Sequence, residues 1–245
     1  MKEQALRLGA ASNLFGILSL PVQMDPARPA ILIPNTGLDP RCGPNRLHVE
    51  LARGLAAAGY CVLRLDISGL GDSDPLPGAG PDSVRDLQQA MDELHARGLA
   101  TRFVIAGLCS GAHDAYQTAL ADTRVDGAVF LDGYAYRTAR FHWHWLWQRV
   151  LEPHRVRNAL IRLWKRSEVQ DNSINLFQMP SQAQARAGYA QMVERRLALA
   201  FVYTGQVQYE FNHEGQLWDM FPALRGYARL DYRYMIHADH IFSRR

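Results

Sequence analysis

Apolar and polar positions along the chain follow two alternating periods. Continuous apolar runs of strand length, AILIPNTG (30–37), YCVLRLDISG (60–69), RFVIAG (102–107) and VDGAVFLDG (125–133), each stop at turn residues, as fully buried strands do. Between them lie stretches of helical period. NRLHVELARGLAAAG (45–59) sets Leu47, Leu51 and Leu55 one turn apart and stops at Gly59. SVRDLQQAMDELHARG (83–98) places Leu87, Met91 and Leu94 on one face, with Ser83 as the expected N-cap and Gly98 as the stop. AHDAYQTALAD (112–122) follows the third run in the same way. Strands alternating with helices predict an α/β fold with a doubly wound, mostly parallel sheet. No period of 20–50 residues recurs, which excludes a solenoid.

The alternation breaks after Tyr134. Residues 135–195 contain no buried-strand pattern but hold four of the five tryptophans, Trp143, Trp145, Trp147 and Trp164. Trp143, Trp147, Val150 and Leu151 fall at helical spacing, as do Leu160, Leu163 and Trp164. LALAFVYTG (197–205) and YARLDYRYMI (227–236) then resume the strand pattern. Three segments result: a first part of the core over 1–134, a helical insertion over 135–195, and the last strands over 196–245.

Composition changes this picture little. The 245 residues are 48% hydrophobic, enough for a sizeable core and against disorder. The formal charge of +3 says little about partners, but its distribution is uneven. Residues 137–170 carry a surplus of six positive charges, so the remainder is acidic. The three cysteines, Cys42, Cys61 and Cys109, have neither disulfide-framework nor metal-ligand spacing, which suits a reducing cytoplasm. The opening MKEQALRLGAASNLFGILSLP looks superficially like a signal peptide, yet Ser12, Asn13 and Gly16 interrupt its apolar run. It reads as two strands with a turn at Ser12-Asn13. No stretch approaches the ~20 apolar residues of a membrane span. The expectation is a soluble, cytoplasmic protein with no metal and no cofactor.

The chemistry concentrates in GLCSGA (107–112), a glycine-flanked turn between a strand and a helix. Such a turn strains the central residue's backbone, and a Cβ at Gly107 or Gly111 would strike a neighbouring element. With those glycines as the frame, the central nucleophile is Cys109, and Ser110 follows it. Ser110 then contributes its backbone N–H to an oxyanion hole. The helix N-terminus beyond favours a thiolate. The plain alternative is a small buried cysteine in an ordinary turn.

At these residues the chain resembles the α/β-hydrolase superfamily. LRLDISGLGDSD (63–74) is similar to that fold's Asp-x-x-Gly-x-Gly-x-Ser turn through Asp66, Gly69, Gly71 and Ser73. Its glycine spacing is wrong for a nucleotide-binding loop. PNTGLDPRCGPNR (34–46) occupies the oxyanion-loop position, although Asn35-Thr36-Gly37 departs from the usual His-Gly. The resemblance implies a second oxyanion N–H from Thr36 or Gly37, with the Asn35 amide orienting the loop. Arg41 and Arg46 flank it as solvated loop charges or as contacts for an anionic substrate. MIHADHIFSRR (235–245) resembles the family's ending, which makes His240 the base and His237 its competitor, nearer the strand and in contact with the protein. The family's usual acid position, after FVYTG, offers only Glu210. Asp132, at the end of the preceding strand, matches the arrangement of carrier-protein thioesterases and is preferred, with Asp239 third.

The resemblance implies Cys-dependent acyl hydrolysis or acyl transfer through a Cys109–His240–Asp132 triad, with the insertion serving either as core packing with a solvated charged face or as a lid with Trp143 and Trp147 against the substrate. Attack of a thiolate on a thioester is nearly isoenergetic, and on an activated ester downhill, whereas on an ordinary ester or amide it is uphill. An acyl thioester, free or on an acyl or peptidyl carrier protein, is therefore the expected substrate. Dienelactone hydrolases have a similar Cys elbow and keep a lactone in view. The basic face of the lid suits an acidic carrier or a membrane surface better than nucleic acid, because its aromatics sit at packing spacing. The chain is also similar, over residues 13–135 and at ADHIF, to bacterial hydrolases with a GLCSG elbow, associated with polysaccharide or secondary-metabolite assembly. The rival reading is a hydrolase-like subunit that no longer catalyses and serves binding or assembly.

Overall fold

A computed structural model describes residues 1–9, 11–76, 78, 82–151, 179–207 and 210–243. Eight strands form one sheet in the order β1-β2-β4-β3-β5-β6-β7-β8. They are β1 (Lys2–Leu8), β2 (Leu14–Leu20), β3 (Ala30–Pro34), β4 (Val62–Asp66), β5 (Phe103–Leu108), β6 (Val125–Leu131), β7 (Ala198–Thr204) and β8 (Leu230–Met235). β1 and β2 form the expected antiparallel hairpin and β2 pairs antiparallel with β4; all other pairings are parallel. β3 and β4 are buried at every position, because helices cover both faces of the sheet there. β8, at the edge, alternates between half-buried and exposed positions.

The helices are α1 (Leu47–Ala57), α2 (Ser83–Ala96), α3 (Ser110–Ala121), α4 (Ala139–Leu151), α5 (Gln182–Glu194) and the short α6 (Gln216–Met220). α2, α3 and α5 share the main core, into which Leu87, Met91, Leu94, Ala115, Tyr116, Tyr189 and Met192 are buried. Each large apolar side chain so buried contributes roughly 1.5–3 kcal/mol. α1 covers a smaller cluster of Ile31, Ile33, Ala52 and Val62.

Two local expectations are corrected. The buried face of α1 is His48, Val49, Ala52 and Ala56, while Leu51 and Leu55 lie half-buried at its margin. Small residues at 52 and 56 let the helix approach the sheet, and the leucines seal the edge. The N-cap of α2 is Asp82, whose carboxylate accepts the Arg85 N–H at 3.0 Å; Ser83 is the first helical residue. The carboxylate one residue earlier has the reach to bond the exposed first-turn donor.

Of the expected insertion 135–195, the described part holds α4 and α5. α5 is a crossover helix between β6 and β7, buried through Ala185, Gly188, Tyr189 and Met192. α4 presents Trp143 and Trp147 to solvent, 59% and 49% exposed and packed edge to face on each other. The helical spacing of those two residues thus reflects a surface stripe. Leu160, Leu163 and Trp164 lie outside the described residues, as do the side chains of Val150 and Leu151. Among the described residues no helix is long and apolar enough to cross a membrane.

Candidate active site

The site forms at the C-terminal ends of β3, β5, β6 and β7, where a doubly wound sheet collects its functional residues. Cys109 occupies the turn between β5 and α3 with φ 56° and ψ −112°, a conformation that non-glycine residues rarely adopt. The flanking glycines permit it. A Cβ on Gly107 would collide with the Gly111 carbonyl, and one on Gly111 would press on the Asn35 carbonyl at 3.1 Å. Cys109 is also held from behind, its N–H donating to the Leu131 carbonyl at 3.0 Å. Its side chain is partly accessible, whereas Cys61 is buried and its thiol is pushed up to about 11 by that burial.

His240 reaches the same point from a position 108 residues away from Asp132. Its Nδ1 lies 2.8 Å from Asp132 Oδ2, and Cys109 is its other close neighbour. With Nδ1 on the carboxylate, Nε2 is the nitrogen left for sulfur. The hydrogen bond to Asp132, followed by the nearby Cys109, pushes the imidazole up to about 10 against the opposing effect of burial. The ring is therefore a cation at neutral pH. Its backbone N–H donates to Gln206 Oε1 at 2.7 Å, which fixes the segment after β8. Gly205 permits that approach, since a Cβ there would strike the Ile236 carbonyl.

Asp132 sits just past β6 in a left-handed conformation, φ 45°, with its carboxylate fully shielded from solvent. Oδ1 accepts the Thr204 N–H at 2.7 Å, and Oδ2 accepts the Thr204 hydroxyl at 2.7 Å. Sequence reasoning missed Thr204 and Gln206. The signal was the position of Thr204 at the end of FVYTG, where the superfamily usually carries its acid. Here that strand end supplies donors to a carboxylate from the neighbouring strand.

The other predicted residues divide clearly. Glu210 is half-buried, raised by its burial and opposed by Arg137, and makes no contact with His240 among the described residues. Asp239 accepts from the Ser243 N–H and hydroxyl. His237 is exposed, contrary to the expected contact with the protein, because the chain leaves the sheet edge after Met235. Arg46 is exposed. Arg41 is not a solvated charge: it bonds Asp66 at 2.5 Å and Asp72 at 2.6 Å and stacks 4.3 Å above the Phe15 ring. It ties the oxyanion loop to the Asp66–Ser73 turn, where the Ser73 hydroxyl donates to the Asp66 carbonyl at 2.7 Å. That turn shapes the loop.

The loop itself is built around Asn35. Its Oδ1 accepts the Ile67 N–H at 3.1 Å, and its Nδ2 donates to the Gly37 carbonyl at 2.8 Å. Thr36 contacts His48 Nε2 through its hydroxyl at 3.3 Å, and burial pushes His48 down to about 4, so that imidazole is neutral. The Gly37 N–H donates to the Ser110 hydroxyl at 2.6 Å. The Ser110 N–H, in the first turn of α3, has no acceptor within its helix. Arg137, Phe141, His142 and Trp145 line an open pocket of about 310 Å³ at the start of α4. No cluster of metal-ligating side chains occurs among the described residues.

A family model described as the alpha/beta hydrolase family matches residues 37–244. The chain belongs to this family. Solved structures agree in fold. A protein from Klebsiella pneumoniae provisionally assigned as a dienelactone hydrolase superposes with a TM-score of 0.60 at 17% identity, over 98% of this chain and 88% of that one. An esterase from Pyrococcus furiosus gives 0.58 at 12% identity, over 96% and 82%. An alpha-beta serine hydrolase homologue from Coxiella burnetii gives 0.56 at 14%, over 98% and 89%. No protein of curated function matches the sequence.

Proposed function

We propose that this alpha/beta hydrolase is a cysteine-dependent acyl hydrolase or acyltransferase acting on acyl thioesters. One observation carries the proposal: a single imidazole, His240, is held by the shielded Asp132 carboxylate at 2.8 Å and lies close enough to Cys109 for the two to interact electrostatically. In this reading the Cys109 sulfur forms a bond to the acyl carbon while the carbonyl π pair moves to oxygen. Backbone N–H groups of the elbow and the Asn35-Thr36-Gly37 loop receive that oxyanion. Collapse breaks the bond to the leaving thiolate, which takes a proton from His240. Water or another acceptor then gives its proton to the neutral imidazole, attacks the acyl-cysteine and releases Cys109. Asp132, aimed by Thr204, keeps the ring in the orientation both half-reactions need.

The thioester preference rests on leaving-group energetics, since acyl transfer from sulfur to sulfur is nearly thermoneutral. Trp143 and Trp147 would cover the acyl chain, and the basic surplus of 137–170 suits an acidic carrier protein. The decisive experiment is intact-mass spectrometry after incubation with a panel of acyl thioesters. An acyl adduct on the wild type that is missing from Cys109→Ala supports the reading. No adduct from any thioester, with one from a lactone or activated ester, moves the substrate class; no adduct at all supports a non-catalytic binding subunit.

A further inference from the structure

We propose that Ser110 is a positioning residue whose hydroxyl takes up the Gly37 N–H and so braces the oxyanion loop over the turn whose Ser110 N–H receives the oxyanion. This rests on the reading of Cys109 as nucleophile. At 2.6 Å the Gly37 N–H is committed to the Ser110 Oγ and cannot also point at a substrate oxygen. Among the described residues it is the one hydrogen bond that joins this loop directly to the nucleophile's turn.

Its mechanical effect follows from its place. The Thr36–Gly37 peptide is held at both ends, the Thr36 carbonyl accepting the Asp39 N–H at 2.9 Å and the Gly37 N–H donating to Ser110. One residue on, the Gly37 carbonyl is held by the Asn35 amide at 2.8 Å. Gly37 itself has φ +54° and open space around a would-be Cβ, so packing does not restrain it. Without the serine hydroxyl, the loop's position over the elbow would depend on contacts remote from Cys109: Asn35, the Thr36–His48 pair and Arg41. Meanwhile the Thr36 N–H faces the Asp39 carbonyl across the short antiparallel Thr36–Asp39 bridge, and the Ser110 N–H is an unpaired first-turn donor. Fixing the Thr36–Gly37 peptide therefore fixes the loop relative to that Ser110 donor.

Two reactions of Cys109 separate this role from a general effect on the thiol. Acylation by p-nitrophenyl acetate forms the C–S bond and breaks the C–O bond to p-nitrophenolate through an oxyanion. Alkylation by iodoacetamide forms a C–S bond and expels iodide with no oxyanion. Ser110→Ala is expected to acylate about three- to tenfold more slowly, the worth of one well-placed hydrogen bond, while alkylating at the wild-type rate. Ser110→Thr, which keeps a hydroxyl, is expected to restore acylation. A Ser110→Ala protein that acylates as fast as the wild type, or faster, overturns the proposal, because the hydroxyl is then idle or blocks a needed donor. Equal losses in both reactions, or no rescue by threonine, overturn it as well. Failure of the underlying reading has a different signature, in which the wild type is neither acylated at Cys109 nor alkylated there faster than at Cys42.

Discussion

Replacing Asp132 with asparagine tests the centre of the site with almost no change in volume. The carboxylate accepts three hydrogen bonds, from Thr204 N–H, the Thr204 hydroxyl and His240 Nδ1, each at 2.7–2.8 Å. An amide has one oxygen for these partners. If the oxygen stays on the Thr204 N–H, the NH₂ faces His240 and donates to Nδ1, which leaves the proton on Nε2 facing the sulfur. If it flips to satisfy His240, the NH₂ opposes a buried backbone N–H. Either way the imidazole loses the interaction that contributes most to holding it at about 10, and its titration falls back toward the ordinary value near 6.5. By analogy with other triads, kcat should fall by ~10²–10⁴, the lower end being expected because a thiol needs less help to ionise than a hydroxyl. The alkaline limb of the rate profile, near pH 10 in the wild type, should move toward neutrality. Stability should respond with a definite sign. A histidine raised above its unfolded value stabilises fully below about pH 6.5, and the contribution is lost as pH rises through about 10. The melting-temperature gap between wild type and Asp132→Asn should therefore be wider at pH 6 than at pH 10. Steady-state kinetics on one thioester across pH 6–10.5, with parallel melts, measures all of this. Wild-type rates in Asp132→Asn together with a large loss in Glu210→Gln would refute the reasoning.

Cys109→Ala should abolish turnover, and Cys109→Ser should remain impaired by at least ~10²-fold on the same thioester, since the site would have to deprotonate a hydroxyl with an imidazole that is already cationic. His240→Ala should lose nearly all activity, whereas His237→Ala, at an exposed position, should match the wild type in both kinetics and thermal melts within ~0.5 kcal/mol. Peptide mapping after iodoacetamide at neutral pH should find Cys109 labelled first and Cys61 last, because Cys61 is buried with its thiol pushed up to about 11. Gly107→Ala should destabilise the fold by more than ~3 kcal/mol in urea unfolding, as the added methyl meets the Gly111 carbonyl rather than a movable side chain.

Much of this molecule is written in local pattern. Runs of apolar residues ending at turns are buried strands because a parallel sheet covered on both faces excludes polar side chains. Gly107 marks the elbow because a Cβ there meets the Gly111 carbonyl, and Gly111 because one there crowds the Asn35 carbonyl, so Cys109 and the α/β-hydrolase resemblance could be read from six letters. Surface against core was less legible. The tryptophans of α4 have the spacing of a packed stripe and lie exposed, because periodicity states which residues share a face but not what covers that face. Whether Asp132 or Glu210 lies beside His240 was not legible until the pairing of β6 with β7 set Leu131 beside Val202, and so Asp132 within reach of Thr204 and His240. Arg41 looked like a loop charge until folding brought Asp66, Asp72 and Phe15 around it. Likewise, Ser110 seemed to matter only through its backbone until the Gly37 N–H arrived from a loop 73 residues earlier. Chain geometry sets a strand, a helix or a strained turn over a few residues, so composition and period specify them. Hydrogen-bond partners drawn from distant segments depend on sheet register and loop path, and only the assembled tertiary structure decides those.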